Sequence, residues 1–381
     1  MLIFHILVAL AALLLIGGVL WDAFETMVLP RRVSHRLRLS RLFFGATWKA
    51  FAGVGRRMRS TGRREALLAV HGPLMLLLLL AVWMSLLIVG FALLQWGFGS
   101  ALGIARGISG LGTDLYFSGT TLLTLGLGDV VPQTGFARLL TVLEVGTGFG
   151  VLALTIGYLP VLYQAFSRRE VSISLLDAHA GSPPTAGALL QRHPPHRHPA
   201  GLAALFADWE RWSAELLESH LSYSMLAYFR TQHDAQSWVA SLTAILDACA
   251  LILAAGSANV DEALAQQASF TFAMARHVAV DLSQVLGIAP RPGGAPGRLQ
   301  SSDHARFAEL LAAAGIATDD DHLSRGDESL AALRALYEPF MTGLADYLLT
   351  PLPPWLPQPD ALDDWQSPGD LPIASLLSHA H

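Results

Sequence analysis

The chain has 381 residues, 52% of them hydrophobic and 14% charged, with a net charge of −5; this is too apolar for an average soluble domain and points to an integral membrane protein. The charge is unevenly spread: 13 basic and 6 acidic residues precede Arg168, and 12 basic and 24 acidic residues lie from there on, which argues against a nucleic-acid partner for the acidic half. A single cysteine, Cys249, excludes an intrachain disulfide.

In chain order, Leu2 to Trp21 carries no Asp, Glu, Lys or Arg, and about twenty helical residues cover the ~30 Å of bilayer hydrocarbon. No Lys or Arg precedes this run and no small-residue cleavage site before a polar sequence follows it, so an uncleaved anchor is expected rather than a signal peptide. Eleven Lys or Arg residues follow between Arg31 and Arg64. Arg32, His35, Arg38 and Arg41 recur every third residue, a voltage-sensor pattern, but only one span precedes them and such a helix needs three companions. With FFGATWKAF following, an amphipathic helix on the inner membrane face is expected. Ala66 to Ala105 is a second uncharged run, in which Pro73 and the pair Gly97 and Gly99 bound a span of about 25 residues. Val145 to Ser167, extended back to Phe136, is the third, closed by Arg168 and Arg169. The excess of Lys and Arg places the 31–64 loop inside, the N-terminus and the 97–136 loop outside, and everything after Ser167 inside.

The segment between the second and third spans has no charge from Leu115 to Gly128, which suits a re-entrant segment better than an external loop. Gly112, Thr113 and Asp114 supply a helix N-cap, and YFSGTTLL gives about two turns of short helix. TLGLGD then leaves the helix, because two glycines in four residues favour positive φ and an extended path. Non-helical backbone survives at membrane depth only where protein buries it or it lines a watery path.

The stretch T-T-x-x-T-x-G-x-G-D-x-x-P, Thr120 to Pro132, resembles the pore of the potassium-channel family, and over 73–170 the chain is similar to single pore-loop bacterial potassium channels. Thr124, Leu125, Gly126, Leu127, Gly128 and Asp129 stand where that family commonly has Thr, Val, Gly, Tyr, Gly and Asp. The resemblance implies that the carbonyls of Thr124, Leu125, Gly126 and Leu127, with the Thr124 hydroxyl, face the axis of a homotetramer and replace water around potassium. It also implies that Tyr116, Phe117, Thr120, Thr121 and Asp129 support the filter. Leu127 replaces a tyrosine hydroxyl brace by packing alone, and similar Gly-Leu-Gly-Asp filters occur in the second pores of two-pore-domain potassium channels. Potassium selectivity is therefore expected, with a filter prone to a non-conducting state.

In the third span Gly148, with Gly146 and Gly150 beside it, falls at the family's hinge position; it serves either bending or close helix contact. GTGFG follows no strand and is not a dinucleotide loop. Glu144, an intramembrane carboxylate, either forms a cation-attracting ring below the filter or lies behind the pore helix bonded to Thr120 or Thr121, the second being favoured.

Beyond the membrane, Gly181 to Pro199 reads as a linker with a short helix, in which His193, His196 and His198 fit a solvated tract better than a metal site. Helical runs follow over Leu202–Arg230, Ala235–Ala255, Val260–Leu286, Asp303–Gly315 and Glu328–Leu349, with a Pro- and Gly-rich loop from Pro290 to Gly297. Asp247, in the middle of the apolar run Trp238–Ala255, makes that run the central helix of a bundle rather than a span. His220, His233, Asp234, His277 and Asp281 form only a weak match to a metal-dependent phosphohydrolase set. No glycine-rich loop after a strand marks a nucleotide-binding domain.

The expected protein is an all-α integral membrane protein with three transmembrane helices, a re-entrant pore helix and filter, and a cytoplasmic helical bundle. The expected domains are an anchor (1–30), a basic interfacial segment (31–69), a pore domain (70–167), a linker (168–200), a helical domain (201–350) and a Pro-rich acidic tail (351–381). The expected function is passive conduction of K+ in the inner membrane by a homotetramer. It needs no enzyme chemistry, cofactor or bound metal beyond the permeant ion, and no nucleic acid; an unidentified ligand acts on the helical domain. The alternatives are a membrane-anchored metal-dependent hydrolase or a non-conducting sensor.

Overall fold

A computed structural model describes residues 2–29, 38–99, 101–104, 110–231, 236–255, 260–291, 298, 306–307, 309, 312 and 320–357. Of the residues and segments singled out above, Arg31, Arg32, His35, Arg36, His233, Asp234, most of the 290–297 loop, most of the 303–315 helix and the tail from 358 lie outside the described residues. The chain divides into two units, Met1–Arg59 with Ala66–Gln164, and Ser60–Glu65 with Ala165–His381.

The protein is an all-α membrane protein. Among the described residues, three helices are long and apolar enough to cross a membrane: α1 (Leu2–Met27), α3 (Thr61–Gly97) and α5 (Gly135–Ala180). Between α1 and α3 lies α2 (Leu39–Arg57); between α3 and α5 lie β1 (Leu102–Ile104), α4 (Leu111–Leu122) and β2 (Val130–Pro132). Helix α3 begins twelve residues before Pro73 and runs through it. Proline removes one backbone bond at that point, and burial of Leu68, His71, Gly72, Met75 and Leu76 on either side holds the helix together there.

Helices α1 and α3 pack antiparallel through small residues. A Cβ at Gly97 would lie 3.1 Å from Ala9, and one at Gly90 would lie 2.7 Å from Ile16, so both glycines allow the backbones to approach closely. At the other end of the pair, the buried Asp22 of α1 is the hub. It accepts hydrogen bonds from Trp83 Nε1 of α3 at 2.9 Å, from the backbone N of Ser40 at 3.1 Å and from Ser40 Oγ at 3.0 Å. Arg38, the residue before α2, provides no side-chain cap. The Asp22 carboxylate supplies it from another helix, meeting an orphan N–H at the positive end of the helix dipole. Arg38 instead pairs with Glu25 at 3.3 Å and donates to Thr26 Oγ1 at 3.0 Å.

The second unit contains the last part of α5, then α6 (Ala186–Arg192), α7 (Pro199–Ser222), a 3-10 turn (Ser224–Tyr228), α8 (Trp238–Ala254), α9 (Glu262–Leu286), α10 (Asp320–Ala335) and α11 (Glu338–Leu348). Every residue of α8 from Trp238 to Ile252 is buried, so this apolar helix is the centre of a helical core. Its Asp247 is paired with Arg298 and accepts from Tyr337 Oη at 2.5 Å, and Arg298 also pairs with Glu338 at 3.0 Å. Local signals end α9 cleanly: Asp261 caps the N–H of Leu264, and Gly287 takes the left-handed φ of 70° at the C-terminus.

Three expected helices have other bounds. The helix that holds the third span continues past Arg168 and Arg169 to Ala180. Arg169 is buried and donates to the carbonyls of Leu226 at 2.9 Å and Phe229 at 2.8 Å. That takes up carbonyls in the turn where the expected 202–230 helix stops being α-helical after Ser222. The expected 328–349 helix breaks at Leu336 and Tyr337, because Pro339 has no N–H and suits only the first turn of α11.

Burial favours the neutral form of His220 and His193 in this unit. His220 is fully buried between Leu216 O at 2.9 Å and the Arg169 guanidinium at 3.3 Å; burial, then Arg169, lowers its pKa well below 6.5. Burial, then His179, Arg192 and His198, also lowers that of His193, whose Nε2 lies 2.8 Å from His179 Nδ1.

Two outcomes are expected. Above pH ~6.5 both histidines are neutral folded or unfolded; below it the unfolded chain takes up protons first. The unfolding midpoint of the full chain should therefore fall as pH drops from 7 towards 5, and His220→Gln should flatten that slope. Asp22→Ala, which leaves the Trp83 and Ser40 donors without an acceptor, should destabilise the protein by about 2–4 kcal/mol, read by thermal unfolding in detergent, with Asp22→Asn losing less.

Candidate functional site

Helix α4 is only twelve residues long, too short to be stable by itself. Its N-terminus is Gly110, with no side-chain cap; Asp114, expected at the cap, lies in the first turn and is buried. Two contacts hold α4 between α3 and α5. Ser118 Oγ lies 2.9 Å from Ile88 O of α3 and is also hydrogen-bonded to Glu144 of α5. The second contact is backbone to backbone: a Cβ at Gly148 would sit 2.2 Å from Leu122 O, while Gly146 and Gly150 have nothing within 4 Å of theirs. Of the three glycines, Gly148 is where a helix end approaches so closely that no side chain fits.

Glu144 is fully buried, and its partner is Ser118 rather than Thr120 or Thr121. The two threonines lie nearer the end of α4, where Thr120 Oγ1 bonds back to Phe117 O at 3.0 Å. Ser118 has one hydrogen and two oxygen neighbours, one on each flanking helix. Sequence reasoning missed Ser118; it is one of four hydroxyl residues in YFSGTTLL, and nothing local singles it out.

After Leu122 the chain turns back on the end of α4. Thr124 N donates to Thr121 O at 3.0 Å, Leu125 N to Thr120 O at 2.7 Å and Gly126 N to the same oxygen at 3.3 Å. These bonds use up helix-end carbonyls, which otherwise have no partner. Beyond them φ alternates: it is positive at Thr124 (59°), Gly126 (56°) and Gly128 (79°), and not at Leu125 or Leu127. A backbone in which left-handed residues alternate with others can gather successive N–H groups on one side. Among the described residues, no backbone N–H donates to the carbonyls of Thr124, Leu125, Gly126 or Leu127. Thr124 is β-branched, so its positive φ is strained, and such strain concentrates where function requires it.

Leu125 and Leu127 are 61% and 63% exposed in the single chain. The brace at this end comes from Asp129: Tyr116 Oη of α4 donates to Asp129 Oδ2 at 2.8 Å, and Asp129 Oδ1 accepts from Val130 N at 3.1 Å. Val130–Pro132 then pairs antiparallel with Leu102–Ile104, a small sheet not expected from sequence. Phe117 is buried in α4. The described residues contain no group of three or more metal-binding side chains. His220 is occupied as above, and His277 pairs with Asp281 at 3.6 Å.

Residues 75–164, which run from within α3 through the short helix and the glycine-spaced segment into α5, match a family described as "Ion channel". The segment is an ion-channel domain. The chain is also 28% identical over 192 residues to the "Uncharacterized membrane protein YdjJ" of Bacillus subtilis (strain 168), a match covering 49% of this chain and 54% of that relative. The chain thus matches about half of the relative's length, and the match adds only that the relative is a membrane protein. No solved structure matches the chain.

The ion-channel domain yields one stability test. Gly148→Ala should lower the thermal midpoint of the full chain in detergent by several degrees, because Leu122 O is backbone and cannot rotate away. Gly146→Ala and Gly150→Ala should be neutral or slightly stabilising, since alanine costs less than glycine in a helix.

Proposed function

We propose that four copies of the chain surround one axis and conduct K+ passively through a filter formed by residues 124–128. The observation that carries this reading is the positive φ at every second residue from Thr124 to Gly128, beside four successive carbonyls to which no backbone N–H donates among the described residues. Carbonyls so presented replace the hydration shell of a dehydrated monovalent cation. One strand cannot enclose an ion, and the exposure of Leu125 and Leu127 in one chain leaves them to be covered by neighbouring copies.

In this reading Tyr116 and Asp129 hold the outer end of the filter, Thr120 and Thr121 anchor its inner end, and Glu144 ties α4 to the inner helix α5 from behind rather than lining the ion path. The helical unit biases opening. It contains both the start of the outer helix, through the Glu65 to Arg230 ion pair at 3.3 Å, and the last part of the inner helix, through Arg169. The protein is then a multi-pass component of the inner membrane with its N-terminus outside and the helical unit in the cytoplasm. It catalyses no reaction and binds no cofactor, and a ligand of the helical unit sets the opening.

Flux from proteoliposomes tests the reading: potassium release that barium blocks, with sodium release at least tenfold slower, is expected, together with a tetramer by mass measurement in detergent. Equal potassium and sodium rates, or a monomer that conducts, would overturn it. Tyr116→Phe removes one hydrogen bond to a charged acceptor, worth about 1.5–3 kcal/mol. It should leave the ion preference unchanged and shorten the conducting periods seen in single-channel records.

A further inference from the structure

Helix α2 has two faces that differ in what covers them. On one, Phe44, Trp48, Ala52 and Gly55 are buried, and the rings of Trp48 and Phe51 lie 5.0 Å from that of His71 in α3. On the other, Leu42, Ala46, Ala50 and Val54 recur every four residues, and all four are exposed, Leu42 by 55% and Val54 by 52%. Exposed basic residues accompany this apolar strip: Arg41 near its start, Lys49 and Arg56 along one edge and Arg57 at its end. A purely solvated face would not repeat an apolar residue every turn, and a protein-docking helix would not carry so many cations beside the strip. Apolar side chains with a basic margin suit the boundary between headgroups and acyl chains.

The charge is one-sided well beyond α2. From Thr26 to Arg64 the sequence has eleven Lys or Arg residues and no Asp or Glu. Arg38 is paired with Glu25, outside that stretch. A bias in Lys and Arg is enough to orient a membrane protein, but it does not require an exposed apolar strip in register with the charges.

We propose that the outward face of α2 is a docking surface for anionic phospholipid headgroups of the inner leaflet, Leu42 and Val54 entering the acyl region while Lys49, Arg56 and Arg57 bind the headgroups. The proposal rests on the topology given above, which puts residues 31–64 at the cytoplasmic face. Each Lys or Arg held near an anionic surface favours association roughly fivefold, so three of them distinguish an anionic from a zwitterionic headgroup strongly.

The test counts lipids retained by the full chain in neutral detergent with equimolar phosphatidylglycerol and phosphatidylcholine, by mass measurement of the intact complex. Phosphatidylglycerol should be retained in at least tenfold preference, the preference should collapse as salt rises from about 0.1 to 0.5 M, and K49Q/R56Q/R57Q should lose most of it. Arg211→Gln, at an exposed arginine of α7, should keep it. Equal retention of both lipids, a preference insensitive to salt, or a triple variant indistinguishable from wild type would overturn the proposal; the salt series on unaltered protein decides it even if the variant misfolds. Absence of ion flux in every lipid would overturn the pore reading and leave this count unchanged.

Discussion

A twelve-residue helix with a glycine-rich strand hanging from its end cannot hold its place in a membrane unaided, and the candidate site depends on how α4 is fixed. Two contacts of different kinds do this. The Ser118 link to Ile88 O and Glu144 replaces hydration that a hydroxyl and a carboxyl lose on burial. The approach of Gly148 to Leu122 O sets how near α5 comes to the end of α4. The first resists displacement across the helices; the second sets the distance at which the chain leaves α4 for Thr124.

From that point the backbone is directed by its own geometry. Bonds from the N–H groups of Thr124, Leu125 and Gly126 to Thr120 and Thr121 spend donors and leave acceptors. Positive φ recurs at every second residue from Thr124 to Gly128, at the cost of a strained threonine. At the far end Tyr116 and Asp129 close the segment, and the pairing of 102–104 with 130–132 keeps the chain beyond it from moving freely. Leu127 has no hydrogen-bonding side chain, and the hydrogen-bonded brace at this end runs through Asp129, two residues on.

Several polar groups buried in the two units join elements that hydrophobic packing alone would leave free to slide. Asp22 joins α1, α2 and α3; Asp247 and Arg298 join α8 to the chain around 298 and to α11; Arg169 fixes the end of α5 to the turn after α7. Such groups cost desolvation and gain specificity of register when every partner is present.

The sequence by itself determined the three apolar helices, the amphipathic α2, the central place of the Trp238–Ala254 helix and the end of α4 before two glycines of positive φ. All of these follow from local periodicity, charge and the conformational range of glycine. Only the tertiary structure decided that Ser118 and not Thr120 meets Glu144, that Gly148 alone of three glycines is a contact point, that Pro73 lies within a helix and that Tyr116 reaches Asp129. Each of these depends on the register between segments distant in sequence, and a change of a single turn would exchange one partner for another without altering the local pattern. The break before α11 was legible in Pro339, whereas the end of α7 depended on Arg169, 53 residues earlier than Ser222, taking the carbonyls beyond it.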